Sequence, residues 1–163
     1  MATKQILARA PEGGSRTLEW VEPGEGLSSN AFAEVEASAR GLPLRLGTEM
    51  LLRFAAVLRG SGFSATDLEL ADGNLRVLTD PNVVDGVVED ALDLLHDGSA
   101  EDVVAYFRTD ARYVHVIAVE MRLDSGGGRV TLRRNGWVTV HDNDSTPLVK
   151  SSLQTTSELV GLV

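Results

Sequence analysis

The stretch YVHVIAVEMRLDSGGGRVTLRRNGWVTVH, Tyr113 to His141, decides the fold of this chain, because its alternation and turn residues set a three-stranded antiparallel meander almost residue by residue. Two registers are open at Arg134-Asn135-Gly136. A two-residue Asn135-Gly136 turn would put Leu132 opposite Thr139 and Val130 opposite His141, mixing apolar and polar residues on both faces. A three-residue loop, with a type I turn at Arg134-Asn135 and Gly136 left-handed as a bulge, instead pairs Arg133 with Trp137, Leu132 with Val138, Thr131 with Thr139 and Val130 with Val140. That register makes one face apolar, and a slip of one residue would turn every side chain to the wrong side. The loop from Asp124 to Gly127 brings in the first strand, with Met121 opposite Val130 and Val119 opposite Leu132. The expected core face is therefore Ile117, Val119, Met121, Val130, Leu132, Val138 and Val140, with His115 on the same side of its strand.

The reverse face is mixed. It carries Val114, Val116, Ala118, Glu120 and Arg122, then Arg129, Thr131 and Arg133, then Trp137, Thr139 and His141. One reading is structural: a helix covers Val114, Val116 and Ala118, Trp137 packs over an Arg stem, and Glu120 pairs with Arg129 or Arg133. The other is an interaction surface of Arg129, Arg133, Trp137 and His141, since aromatic and Arg side chains dominate binding hot spots.

Working outward, Asp67 to Leu78 reads as a β-hairpin, about 66–79, turning at Asp72-Gly73. Leu70 then faces Leu75, Leu68 faces Val77, and Glu69 meets Arg76 on the other side, so burial, charge pairing and turn chemistry agree. Asp80-Pro81 opens a helix that runs to about His96 before Gly98, with Val84, Val87, Val88, Ala91, Leu92 and Leu95 as its buried stripe. Asp85, Glu89 and Asp93 form a fourfold-spaced row that reads as a solvated face rather than a metal site. Ser99 and Asp102 suit a capping box for a shorter helix burying Val103 and Phe107. Thr48 to Arg59 reads as a helix burying some of Met50, Leu51, Phe54, Val57 and Leu58, with Gly60 as a left-handed stop. Ser29 to Arg40 suits another helix, although its alternating Ala residues also fit a strand, and Arg16 to Val21 reads as a short strand.

The fold class that follows is α+β: helices packed on antiparallel sheet, with the meander at about 113–142 and the hairpin between helices. The 163 residues suit one domain, residues 16–163, preceded by a flexible N-terminal arm, residues 1–15, around Gly13-Gly14. The tail, 146–163, fits an added strand followed by a helical turn, docked on the core or on a neighbouring subunit. No secretory pattern follows Met1, and no apolar run nears the roughly 18 residues of a membrane span. The expectation is a cytoplasmic protein, or one carried inside a larger assembly.

A net charge of −9 opposes a phosphate-tracking surface, so nucleic acid is an unlikely partner. With no Cys, thiol nucleophiles, disulfides and most structural zinc sites are excluded. His115 reads as a core or boundary histidine and His141 as an exposed strand end, on opposite faces, so they form no dyad. Ser125-Gly126-Gly127-Gly128 joins strand to strand, so it lacks the helix amides of a phosphate loop. Asp142 to Thr146 begins like a calcium loop, but Pro147 and Leu153 stand where its Gly and Glu would be. The inventory holds no catalytic residue, metal site or cofactor motif, and it favours a non-enzymatic protein-interaction or assembly module whose partner is another protein or a second copy. The alternative is a small-molecule binding domain or enzyme with a scattered site of Tyr113, His115, Glu120, Arg122 and Trp137.

Overall fold

The computed structural model describes residues 4–9, 19–21, 46–72, 81–111, 114–141 and 146–160. Among them six strands, β1 (Lys4–Arg9), β2 (Glu19–Val21), β3 (Phe63–Asp72), β4 (Val114–Leu123), β5 (Arg129–Arg133) and β6 (Trp137–Val140), form one antiparallel sheet in the order β2-β1-β6-β5-β4-β3. Four helices, α1 (Thr48–Gly60), α2 (Pro81–Asp97), α3 (Ala100–Thr109) and α4 (Thr146–Val160), complete the α+β architecture. Helix α1 is central: it packs on β3, β4 and β5, and α2, α3 and α4 all touch it.

The meander adopts the bulged register. Val119 pairs with Leu132, Met121 with Val130, Leu132 with Val138 and Val130 with Val140. Gly136 sits at φ 86°, left-handed space in which a Cβ would be strained.

The first meander strand departs from simple alternation. Leu70 pairs with Val116 but Glu69 with Ala118, so Ile117 is an extra residue on β4. This β-bulge reverses the alternation, since one inserted residue flips all that precede it. Val114 and Val116 therefore share the core face with Val119 and Met121, and His115 turns outward and is exposed. The expected placement of His115 on the apolar side, and of Val114 and Val116 on the reverse side, is corrected by the bulge. A second bulge at Thr66 does the same for β3, keeping Phe63 and Ala65 in phase with Leu68 and Leu70.

Bulges leave backbone groups out of the ladder, and these must find partners. Thr48 Oγ1, at the start of α1, accepts from Val116 N, next to the bulged Ile117, at 3.0 Å, while Arg134 N, donating to Ile117 O at 2.8 Å, continues the β4–β5 ladder one position beyond Ala118 and Arg133. Thr48→Val keeps the shape and orphans the Val116 N–H, so a loss of about 1–3 kcal/mol is expected. Urea denaturation measures this, with Thr48→Ser retaining most of the stability.

Helix α1 buries Leu51, Leu52, Phe54, Ala55 and Leu58, an i, i+3, i+4, i+7 stripe with one addition. Its left-handed stop is Gly62, φ 93°, not Gly60, which is still helical. Ser61 N and Gly62 N close the last turn onto Leu58 O and Arg59 O at 3.0 Å each. Arg59 Nη1 donates to Leu95 O at 2.8 Å and Gly98 O at 2.5 Å, so one cation satisfies carbonyls at the end of α2. Helix α3 carries the expected capping box: Asp102 N donates to Ser99 Oγ at 3.2 Å, and Ser99 N donates to Asp102 Oδ2 at 2.8 Å.

Both ends of the chain depart from expectation. Lys4–Arg9, assigned above to a flexible arm, is strand β1, paired on one side with β2 and on the other with β6. The tail residues Thr146–Val160 are one helix rather than a strand and a turn. Val149 and Leu153 are buried there, and Ser152 Oγ lies 2.9 Å from Ser61 Oγ, so α4 docks on this chain's own α1. Strand β3 starts earlier than the hairpin reading had it and pairs with β4, making one continuous sheet. The hairpin's return strand, the 29–40 helix, Tyr113 and the 142–145 turn lie outside the described residues.

Candidate functional site

The sheet has two unlike faces. Helical side chains and the inward strand residues form the core cluster, from which Ala118 and Trp137 are absent although only 5% and 4% exposed. These two belong to the outer face, with Asp67 and Glu69 on β3, His115, Glu120 and Arg122 on β4, Arg129, Thr131 and Arg133 on β5, and Thr139 on β6. Acidic residues lie toward β3 and arginines toward β4 and β5. Arg122, Arg129 and Arg133 are all exposed.

Trp137 is the exception among the residues singled out for this face. It is buried, in register with Leu7 of β1, which is itself in register with Val21 of β2, and its N–H donates to Asn135 Oδ1 at 3.1 Å. The ring thus forms part of the support of the face rather than its open surface. His141 is half-buried, and its N–H donates to Arg129 O at 2.9 Å. Arg129 Nη1 lies 3.8 Å from Glu120 Oε1, with side chains 45% and 34% exposed, a diagonal cross-strand pair worth a few tenths of a kcal/mol. The side chains of Arg122 and Arg133 have no hydrogen-bond or ion-pair partner among the described residues.

Arg122 and Arg129 are direct cross-strand partners. Leu123 N donates to Gly128 O at 2.8 Å, so the next pair along, Arg122 and Arg129, is a non-hydrogen-bonded one, with Cα atoms about 4.5 Å apart and side chains at their closest. Beside them opens a cleft of about 510 Å³, lined by Arg122, Arg129, His141, Leu123 and the glycines 126–128. Among the described residues every charged side chain in that lining is an arginine. Asp124, next in sequence, has its carboxylate bonded to Ser64 Oγ at 2.5 Å and does not line the cleft.

No protein-family model, curated protein or solved structure matches this chain.

Of the scattered residues singled out from the sequence, Glu120 and Arg122 share the outer face of β4 two positions apart, and the others are not brought to them. His115 and Arg122 stand seven residues apart on β4, about 23 Å at the rise of a strand, Trp137 is buried, and Tyr113 is outside the described residues. His115 instead borders a smaller cavity of about 130 Å³ between α1, α3 and β4, with Leu52, Val104, Phe107 and Val114 as apolar lining and Glu49 and Arg108 as charged groups. The His115 imidazole has no hydrogen-bond partner among the described residues. Asp85, Glu89 and Asp93 on α2 are exposed, and among the described residues no group of three or more metal-binding side chains occurs and no helix is long and apolar enough to cross a membrane.

An ion-pair network bridging α1 and α3 was not anticipated. Arg53 binds Glu49 at 3.0 Å and Glu101 at 2.7 Å, while Arg108 binds the other Glu49 oxygen at 2.6 Å. Its only sequence signal is the i, i+4 spacing of Glu49 and Arg53. Hydrogen bonds from Arg108, then from Arg53, hold the Glu49 carboxyl below its ordinary pKa, and Arg53 does the same for Glu101. A carboxyl with a depressed folded pKa contributes stability above its unfolded value, about 4.3 for Glu, and loses it as pH falls through the folded value. Glu49→Gln should therefore lower the urea midpoint near pH 7, by an amount that shrinks as the pH falls below about 4.3 and the wild-type carboxylate is protonated. Solvent screening keeps the difference near or below about 1 kcal/mol.

Proposed function

We propose that this chain is a non-enzymatic protein-interaction module that receives an acidic segment of a partner on the outer face of its sheet. The observation that carries the reading is the direct cross-strand pairing of Arg122 with Arg129, both exposed, with the exposed Arg133 farther along the same face of β5, in a chain of net charge −9. Like charges directly opposite on a sheet destabilise it, by up to about 1 kcal/mol, and a bound carboxylate relieves that repulsion. The overall charge balance steers in the same sense, since these arginines stand on the outer sheet face of a chain of net charge −9. A second copy of the chain is one such partner, because it presents exposed acidic rows such as Asp85, Glu89 and Asp93.

The test is a fluorescence-anisotropy titration with a labelled glutamate-rich peptide, a glutamine-for-glutamate control and the Arg133→Glu protein. Expected are saturable binding of the acidic peptide that weakens steeply with salt, none of the control, and at least a tenfold loss in the variant. Equal binding of both peptides, or of neither, would sink the proposal. Sedimentation of the protein alone separates the self-association case, in which the mass exceeds one chain at low salt.

A further inference from the structure

We infer that the cleft beside the β4–β5 loop is an oxyanion subsite that takes a single carboxylate of that acidic segment, an assignment that rests on the interaction-face reading above. Four features converge on it. Arg122 and Arg129 project from a non-hydrogen-bonded pair, so two guanidiniums reach the same volume, and Arg122 has no partner among the described residues. Among the described residues no carboxylate lines the cleft; Glu120 lies 3.8 Å from Arg129 in a loose, solvent-screened pair. The N–H groups of Gly127 and Gly128 make no hydrogen bond among the described residues, and both glycines line the cleft. His141 is held at the cleft by its backbone N–H bond to Arg129 O, 2.9 Å.

A carboxylate suits this lining better than a phosphate. Guanidinium forks bind the planar carboxylate through paired N–H donors. The loop connects strand to strand and lacks the helix N-terminal amides on which phosphate sites are commonly built. Arg122 is thus the principal anchor and Arg129 the second, while Arg133, two strand positions from Thr131 and outside the cleft lining, contributes to the face alone.

Titration of the same glutamate-rich peptide into Arg122→Gln, Arg129→Gln and Arg133→Glu proteins tests the subsite, with inorganic phosphate and acetate as competitors. Expected are at least a tenfold loss of affinity in each cleft variant and competition by acetate at least equal to that by phosphate at matched ionic strength. Arg122→Glu gives a second readout: it replaces the facing like charges by an ion pair with Arg129, so its Tm should rise while peptide binding disappears. Binding lost in Arg133→Glu but intact in both cleft variants would overturn the subsite and leave the face reading standing. Failure of the wild type to bind the peptide would overturn both, and preferential competition by phosphate would overturn the carboxylate assignment.

Discussion

Val116→Asp is expected to cost more than about 4 kcal/mol, enough to unfold a protein of ordinary stability, whereas His115→Asp, one residue away, should change stability by less than about 0.5 kcal/mol. The contrast follows from the β4 bulge. Val116 is fully buried among the core residues and His115 is exposed, although a strand alternating without interruption back from Met121 and Val119 would put His115 inside and Val116 outside. An aspartate at 116 would carry its charge into an apolar cluster with no cation to meet it, and would also disturb the Val116 N–H bond to Thr48. Circular dichroism and urea denaturation of the two variants decide the matter. The reverse ranking, with the 115 variant the damaged one, would show that β4 has no bulge.

Phe54→Ala comes next in size, at about 3–5 kcal/mol. Phe54 is fully buried in the middle of α1 and meets Trp20 of β2 edge to face, with ring centroids 5.3 Å apart and planes at 83°. Such a pair adds about 0.5–1.5 kcal/mol to the burial itself. The contact joins the helical layer to the far edge of the sheet, so its loss should loosen β1 and β2 as well as α1. The midpoint of urea unfolding, followed by Trp fluorescence, should move sharply down. A shift corresponding to less than about 1 kcal/mol would mean that the site collapses readily and that α1 does not anchor those strands.

Local patterns carried much of this fold. The bulged turn at Gly136 and the pairing of Leu132 with Val138 were legible because only one register segregates Val and Leu from Thr and Arg. The Ser99–Asp102 capping box was legible because both partners lie within one turn. The bulges were legible in principle and were missed. Val114 and Val116 alternate, and so do Val119 and Met121, but the two pairs are out of phase by one residue, as are Phe63 with Ala65 against Leu68 with Leu70. Two interrupted alternations of this kind signal an inserted residue in each strand.

Long-range pairings were not legible. Arg59 reaches carbonyls 36 and 39 residues away, and Arg53 reaches Glu101 across 48, distances over which no spacing rule applies. Of the surface chosen from sequence, the structure exposes Arg129 and Arg133, half-buries His141 and buries Trp137. Trp137 is buried on a strand that β1, expected to be part of a mobile arm, flanks, so that β6 is not a sheet edge. Arg122 gains its importance only from the register that sets it against Arg129, and the cleft exists only where the ends of β4, β5 and β6 meet.

Backbone amide chemical-shift mapping of the isotope-labelled protein with a glutamate-rich peptide tests the central claim most directly. If the outer face receives an acidic segment, the largest shifts should fall on residues 118–122 and 129–133 and on His141, and they should fade as salt is added. Shifts confined to the helices, or none at saturating peptide, would contradict it.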